Sequence, residues 1–460
     1  MSLIKSISGI RGTIGGKVDE NLTPIDAVKF AAAYGSWLKE QVGKEHVKVV
    51  IGRDARISGE MIQNLVQYTL IGLGIDVVNI GLSTTPTVEV AVPLEKANGG
   101  IILTASHNPK EWNALKLLND KGEFVSDQDG KAILRIAQEN DFSFATVDHL
   151  GKLTHDDRYI DLHIEKVFAL PLVTPEAIQK KKFRVVVDAV NSTGGIAIPR
   201  LLERLGVEVI KLYCEPNGHF PHNPEPLKEH LGDICKKVVE EKADFGIVVD
   251  PDVDRLAFIT DQGEMFGEEY TLVACADYVL SKAKGNVVSN LSSSRALRDI
   301  AQKYGVTYSA AAVGEVNVVT EMKRVEAIIG GEGNGGIIYP ELHYGRDALV
   351  GVALFLSLLA ERGGSVQQLR ENYPAYFMSK NKIQLTEQIN PDLILKAMEQ
   401  KYAHEQITTI DGLKIDFADS WVHLRKSNTE PIIRIYTEGK SQKEADDLAQ
   451  RFIEEMRALI

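Results

Sequence analysis

The sequence predicts an α/β protein: three related mixed-sheet α/β domains around a central cleft, followed by a smaller C-terminal α+β domain. Three observations carry this reading. A strand–helix–strand pattern occurs three times along the chain. Each copy is followed by a further apolar strand that ends in an unusual loop. Beyond the third copy the pattern stops. At 460 residues the chain is too long for a single core.

The first copy has a strand at His46–Ile51, the turn Gly52-Arg53-Asp54-Ala55-Arg56, a helix through Leu73 and a strand at Ile75–Ile80. The second runs from Arg184–Val187 through Asp188-Ala189-Val190-Asn191-Ser192-Thr193-Gly194-Gly195 and a helix to Leu205, ending at Val207–Ile210. The third starts at Asn286–Val288, passes Ser292–Ser294 and a helix to Lys303, and ends at Val306–Tyr308. Strand–helix–strand is the unit of a largely parallel sheet. The strands that follow are Ile101–Leu103, Phe245–Val249 and Ala327–Ile329. Their loops, at equivalent strand ends, would face a common cleft, where open α/β sheets bind ligands. After a connection near Asn372–Ser379, Met398–Tyr402 reads as helix, Trp421–Leu424 and Ile432–Tyr436 as strands, and Lys443–Ala458 as an amphipathic helix. The expected domains are residues 1–153, 154–257, 258–373 and 374–460.

Composition narrows the function classes. The net charge is −12 and the pI near 5.5, which argues against a nucleic-acid partner. No apolar run has the length of a membrane span, and the first residues contain no secretory h-region. Cys214, Cys235 and Cys275 lie far apart with no metal-ligand spacing, as expected of reduced thiols in a cytoplasmic protein.

The three loops carry chemistry-bearing residues. Thr104-Ala105-Ser106-His107-Asn108-Pro109 presents a hydroxyl and an imidazole at a strand end; on its own it could be an ordinary turn. Asp250-Pro251-Asp252-Val253-Asp254-Arg255 clusters three carboxylates, which repel one another unless a cation intervenes. Oxygen ligands favour Mg²⁺ or Ca²⁺. An EF-hand is a poor alternative, because Arg255 stands where its Gly and Asp261 where its Glu would be. Gly331-Glu332-Gly333-Asn334-Gly335-Gly336 is no phosphate-binding P-loop, but Glu332 could accept bonds from sugar hydroxyls. Near the C-terminus, Arg425-Lys426-Ser427-Asn428-Thr429-Glu430-Pro431 suits a phosphate, with Arg434 on the next strand as a further donor; a polar hairpin fits its composition equally well. Lys116 could return over the serine loop. Arg11 sits between glycines in Ser8-Gly9-Ile10-Arg11-Gly12. Together these features fit phosphoryl transfer to and from a phosphorylated sugar.

In order and spacing, the four loops resemble the signature loops of the α-D-phosphohexomutases, and the resemblance covers essentially the whole chain. It implies that Ser106 is a phosphoserine and that Asp250, Asp252 and Asp254 bind one Mg²⁺ together with the serine phosphate. Lys116 and His107 would assist proton transfer, with Arg11 and Arg255 completing the catalytic set. Arg425, Ser427, Asn428, Thr429 and Arg434 would grip the substrate phosphate, and Glu332 and Asn334 would hold the sugar. A hexose 1,6-bisphosphate intermediate would turn around in the cleft, helped by a mobile C-terminal domain. A monomer or homodimer acting on a small sugar phosphate is expected.

Departures from the family pattern bear on the sugar. Asn334 replaces the usual Ser, and Gly336 stands where many phosphomannomutase/phosphoglucomutase members have His. Glu315, in Val313-Gly314-Glu315, replaces their His, where glucosamine mutases commonly have Asp. Ser292-Ser293 looks more like the Met-Ser segment of glucosamine mutases than the lysine-bearing one. An acid at Glu315 could pair with an amino-sugar ammonium. The resemblance therefore points to glucosamine phosphate, with mannose or glucose phosphate as the alternative. A metal-dependent sugar phosphatase and a silent sugar-phosphate sensor are the competing readings.

Overall fold

The computed structural model describes residues 2–6, 9–43, 46–386, 389–427 and 432–459. Contacts divide the chain into two units, residues 1–271 with 335–367 and residues 272–334 with 368–460.

The first unit contains two sheets. The larger has seven strands in the order Ile4–Ser6, Gly9–Thr13, Trp112–Leu118, Gly99–Leu103, Val47–Arg53, Ile75–Leu82 and Leu153–His155. Val47–Arg53 pairs in parallel with both Ile75–Leu82 and Gly99–Leu103, whereas Trp112–Leu118 runs antiparallel beside Gly99–Leu103. Successive side chains of a strand point to opposite faces, so a strand covered on both sides reads as a continuous apolar run. Val49 and Ile51 accordingly pack with Phe30, Ile62 and Val66 from the helices Pro24–Val42 and Gly59–Gly72. Val50 packs the other way, with Val88 and Val92 of the helix Thr85–Leu94. Gly99 is required by a close approach: a Cβ there would lie 2.1 Å from the Tyr34 hydroxyl, which donates to the Leu118 carbonyl at 2.6 Å.

The second sheet has the order Leu256–Ile259, Phe245–Val249, Arg184–Asp188 and Glu208–Leu212, with only Leu256–Ile259 antiparallel. The helix Ala348–Arg362 is apolar all round because it is buried all round. Its Phe355 stacks on Phe258 at 3.7 Å between centroids and meets Phe245 and Phe266 edge-on.

In the second unit, Asn286–Asn290 pairs in parallel with Tyr308–Ala311 and Ala327–Glu332. The C-terminal part is a five-stranded antiparallel sheet in the order Phe377–Gln384, Ile432–Gly439, Trp421–Lys426, Leu413–Asp416 and Gln406–Thr408. Phe452 and Met456 of the helix Gln442–Arg457 and Met398 of Pro391–Lys401 cover its apolar face. Buried hydrogen bonds join the two parts: Arg295 donates to the carbonyls of Ala418 (3.0 Å) and Ser420 (2.7 Å), and Lys414 donates to that of Leu291 (2.8 Å).

Several boundaries differ from the sequence expectation, among them the helix expected at Met398–Tyr402, which spans Pro391–Lys401. Phe377–Ser379, expected in a connection, opens an edge strand whose polar residues mask its pairing with Ile432–Gly439. The third copy's last strand is Tyr308–Ala311 rather than Val306–Tyr308, because the Val306 amide still bonds back to Ala301 of the preceding helix at 3.0 Å. Among the described residues, no helix is long and apolar enough to cross a membrane.

Candidate active site

Ser106 lies just past the buried strand Gly99–Leu103 and is itself buried, with a backbone φ of 50°. A non-glycine residue in the left-handed region costs about 1–3 kcal/mol and persists only where its surroundings over-determine it. Here a fully buried Arg56 supplies the constraint. It donates to the carbonyls of Ser106, Asn108 (2.6 Å), Pro109 (2.6 Å) and Trp112 (2.9 Å), and its Nε to Asp54 Oδ2 at 3.0 Å. The Ser106 amide bonds to Thr104 Oγ1 at 2.9 Å, and that hydroxyl donates to Asp54 Oδ2 at 2.7 Å. Arg11, on the strand Gly9–Thr13 two strands over, donates to Asn108 Oδ1 at 3.0 Å. The loop is thus held from both ends.

The Ser106 hydroxyl donates to Asp250 Oδ2 at 2.8 Å and lies 3.3 Å from His107 Nδ1. The Asp250-to-Arg255 segment follows the buried strand Phe245–Val249 and turns at Val253, whose φ is 64°. Asp250 Oδ1 accepts from the amides of Asp254 (3.2 Å) and Arg255 (3.1 Å). Lys116, on the strand Trp112–Leu118, places its ammonium 2.7 Å from Asp252 Oδ2 and 3.4 Å from Asp254 Oδ2. Arg255 pairs with Glu225 at 3.2 Å. The structure therefore brings together Ser106, His107, Lys116, Arg11, Arg255 and the three aspartates within the first unit.

All three aspartates are completely buried and offer oxygens within 4.8 Å of one another. Asp252 Oδ1 and Asp254 Oδ1 have no hydrogen-bond partner among the described residues. Orphaned buried carboxylate oxygens are costly, and a hard divalent cation satisfies them; the donor set fits such an ion. Burial, and then the charges of Asp254 and Asp252, raises the Asp250 carboxyl well above its ordinary range. Burial works the same way at Asp252, but Lys116 and the Thr85 hydroxyl outweigh it and hold that group low. At Lys116 burial favours the neutral amine, and the two aspartates overcome it to leave the pKa raised. Burial, followed by the charges of Arg255, Arg11 and Arg346, drives His107 well below its usual pKa, so its imidazole is neutral.

Four groups escaped the sequence reading. Arg56 and Asp54 belong to Gly52-Arg53-Asp54-Ala55-Arg56, a turn placed as the other chemistry-bearing turns are, and that equivalence was the available signal. Thr85 donates through its amide to the Asp252 carbonyl at 2.8 Å and through its hydroxyl to Asp252 Oδ2. Arg346 reaches Asp254 Oδ2 at 2.8 Å. Nothing in the local sequence announces either.

The second unit holds the other expected residues. Glu332 ends the strand Ala327–Glu332, and its Oε1 accepts from Asn290 Nδ2 (2.9 Å) and the Gly314 amide (3.1 Å). Glu315 follows as the first residue of the helix Glu315–Arg324 and is buried, while Asn334 is half-buried. The preceding amide, Val313, donates to Asp411 Oδ2 at 2.9 Å, and the same oxygen lies 2.8 Å from Arg425 Nε. Arg425, next to the last residue of the strand Trp421–Lys426, stands directly opposite Arg434. Like charges placed opposite one another across a sheet are unfavourable, and an anion between them relieves the repulsion. Ser427 donates its amide to the Ile432 carbonyl at 3.0 Å. Asn428 and Thr429 lie outside the described residues.

Comparison with known proteins gives a consistent picture. The chain matches all four domains of phosphoglucomutase/phosphomannomutase: α/β/α domains I, II and III at residues 3–144, 157–263 and 267–376, and the C-terminal domain at 382–455. It is 36% identical to a phosphoglucomutase/phosphomannomutase of Thermococcus kodakarensis, covering 94% of this chain and 95% of that one. It is 32% identical to a phosphoglucosamine/phosphogalactosamine mutase of Sulfurisphaera tokodaii, covering 97% and 98%. A crystal structure of a phosphoglucomutase/phosphomannomutase family protein from Burkholderia thailandensis superposes with a TM-score of 0.85 at 25% identity, covering 99% and 98%.

Proposed function

Because the chain belongs to the phosphoglucomutase/phosphomannomutase family and is a phosphohexomutase, we propose that it interconverts glucosamine 6-phosphate and glucosamine 1-phosphate through a phosphorylated Ser106. The observation that carries the chemistry is the Ser106 hydroxyl 2.8 Å from Asp250 among three buried aspartates. Asp250, Asp252, Asp254 and the serine phosphate would hold one Mg²⁺ per chain. When bound, the ion neutralises phosphoryl charge.

The phosphoryl group passes from Ser106 Oγ to the free hydroxyl of a hexose monophosphate. The Oγ–P bond breaks, a sugar O–P bond forms, and the product is the 1,6-bisphosphate. The sugar hydroxyl gives up a proton and the serine oxygen receives one. Neutral His107 is suited to accept and ammonium Lys116 to donate. The bisphosphate then turns and returns its other phosphoryl group to Ser106. Arg11 and Arg255 orient the transferring group. Arg425, Ser427, Asn428, Thr429 and Arg434 hold the phosphate that does not react, and Glu332 and Asn334 hold the sugar hydroxyls. The enzyme works in the cytoplasm on free sugar phosphates, as a monomer or homodimer, with domain boundaries near residues 153, 257 and 373.

The amino-sugar preference rests on Glu315, a buried acid beside the Gly314 amide that Glu332 holds. Burial makes its charge worth most to a cationic partner. The name of the 36%-identical relative supports the alternative, a phosphoglucomutase/phosphomannomutase. The deciding measurement is kcat/KM for the 1-phosphates of glucosamine, glucose, mannose and N-acetylglucosamine. Glucosamine should be preferred, and Glu315→Gln should reduce its turnover more than that of glucose. Equal losses refute the amino-sugar reading; free phosphate as sole product would establish a phosphatase.

A further inference from the structure

Behind the aspartate loop lies a second cluster that the mechanism does not use. His163, on the helix Tyr159–Phe168, is fully buried. Its Nδ1 lies 3.0 Å from the Thr87 hydroxyl and its Nε2 2.9 Å from Asp347 Oδ2. The same Asp347 oxygen lies 3.3 Å from His343 Nε2, and His343 Nδ1 is 3.3 Å from Glu89 Oε2. The cluster therefore ties together three chain segments: the helix Thr85–Leu94, the helix Tyr159–Phe168 and residues 343–347. Gly345 presses its backbone onto Glu89; a Cβ there would come within 1.9 Å of Glu89 Oε2.

Two of the joined segments also touch the aspartate loop, and His163 links those two. The helix carrying Thr87 and Glu89 begins at Thr85, which bonds Asp252 through backbone and hydroxyl. Arg346, next to Asp347, bonds Asp254, and the Ala348 amide on the other side donates to the strained Val253 carbonyl at 3.2 Å. Asp347 Oδ1 meanwhile caps the helix Ala348–Arg362 through the Leu349 amide at 2.8 Å. His163 is thus the brace between the two grips on the loop. His163, His343 and Asp347 each offer one atom within 4.8 Å of the others, so the number of ions bound per chain is read in the test as well.

We propose that His163, through Asp347, His343 and Glu89, is a positioning residue that sets the divalent-cation affinity of the Asp250–Asp252–Asp254 loop without touching substrate. The proposal rests on the reading that those aspartates hold a cation. Outer partners that orient ligands typically change metal affinity by about 10–100-fold when removed.

The test is titration of the purified full-length protein with Mn²⁺ and Mg²⁺, read by calorimetry and by Mn²⁺ paramagnetic resonance, beside steady-state kinetics. His163→Ala should weaken the cation Kd by about 10-fold or more. KM for the sugar phosphate at saturating Mg²⁺ should stay unchanged. His163→Gln retains a donor towards Asp347 and should recover most of the affinity. Should His163→Ala not fold, Glu89→Gln carries the test by weakening the cation by an intermediate factor, with His163→Gln as the near-wild-type comparison. Unchanged cation Kd in all folded variants overturns the proposal, as does a rise in sugar-phosphate KM with cation Kd unchanged. Two ions per wild-type chain falling to one in His163→Ala would show instead that the cluster is itself a metal site. A wild-type protein that binds no divalent cation refutes the metal reading directly, and Asp252→Asn serves as the control for loss of binding.

Discussion

Arg56→Lys isolates the scaffold of the catalytic loop from its chemistry. The guanidinium makes five contacts, one to Asp54 and four to the carbonyls of Ser106, Asn108, Pro109 and Trp112, all from a side chain with no exposure. An ammonium keeps the charge but has three donors and no planar fork, so at least two of these five partners lose their donor. Each buried polar group left unpaired costs about 1–3 kcal/mol, so a loss of about 2–6 kcal/mol is expected. The strained φ of Ser106 makes its carbonyl the first to be released. If the loop relaxes locally, the loss moves from global stability into turnover, because a displacement of about 1 Å at a reacting group costs on the order of 10²-fold in rate. Urea unfolding gives the first quantity and kcat the second. A variant within about 0.5 kcal/mol of wild type and with unchanged kcat would refute the claim that Arg56 holds the loop.

Other outcomes follow from the same geometry. Ser106→Ala should abolish turnover and phosphoryl incorporation, read by intact mass, while leaving the unfolding midpoint near wild type; a variant that does not fold would assign Ser106 to the scaffold. Chelation should remove activity and Mg²⁺ restore it, with Mg²⁺ raising Tm through binding to the folded state. Asp250→Asn should lose that rise; a Tm response equal to wild type counts against the three-aspartate site. At His343 burial alone would favour the neutral ring, but Asp347 and Glu89 outweigh it and push its pKa up to about 10, from an ordinary 6.5. A raised pKa contributes stability fully below the unfolded value, and this is lost as pH rises through the folded one. The stability gap between wild type and His343→Gln should therefore shrink from about pH 6.5 to about pH 10. A gap that does not vary with pH refutes the charged ring.

The parts of the fold legible in sequence were those where local pattern and tertiary role agree. The apolar run Val49–Ile51 announces a strand buried on both faces, and the three strand-end loops announce where chemistry collects. Ser106 and the aspartates were visible because their residue types repeat a known loop. The edge strand Phe377–Gln384 was not, because its outward residues are those of a loop and only pairing with Ile432–Gly439 reveals it. Thr85, Arg346 and His163 were hidden for another reason. Each acts over sequence separations of 92 to 184 residues, as Arg346–Asp254 and His163–Asp347 do, and no local spacing encodes such a meeting. Arg56 lay within a noticed motif, but its role depends on carbonyls that carry no side-chain signature.

The family's domain III and the physical packing of the chain do not share borders. That domain spans residues 267–376, yet Gly335–Gln367 packs with the first unit and Leu272–Asn334 with the C-terminal part. Exchanging domain III as a cassette between relatives would cut two cores at once. It would separate Phe355 from Phe258 and Phe245, and Arg295 from the carbonyls at Ala418 and Ser420. A chimera designed to transplant sugar preference should graft residues 272–334 together with 368–460. That graft carries Glu315, Glu332, Arg425 and Arg434 as one inherited piece, and it leaves Arg346, Asp347 and the aspartate loop with their own partners.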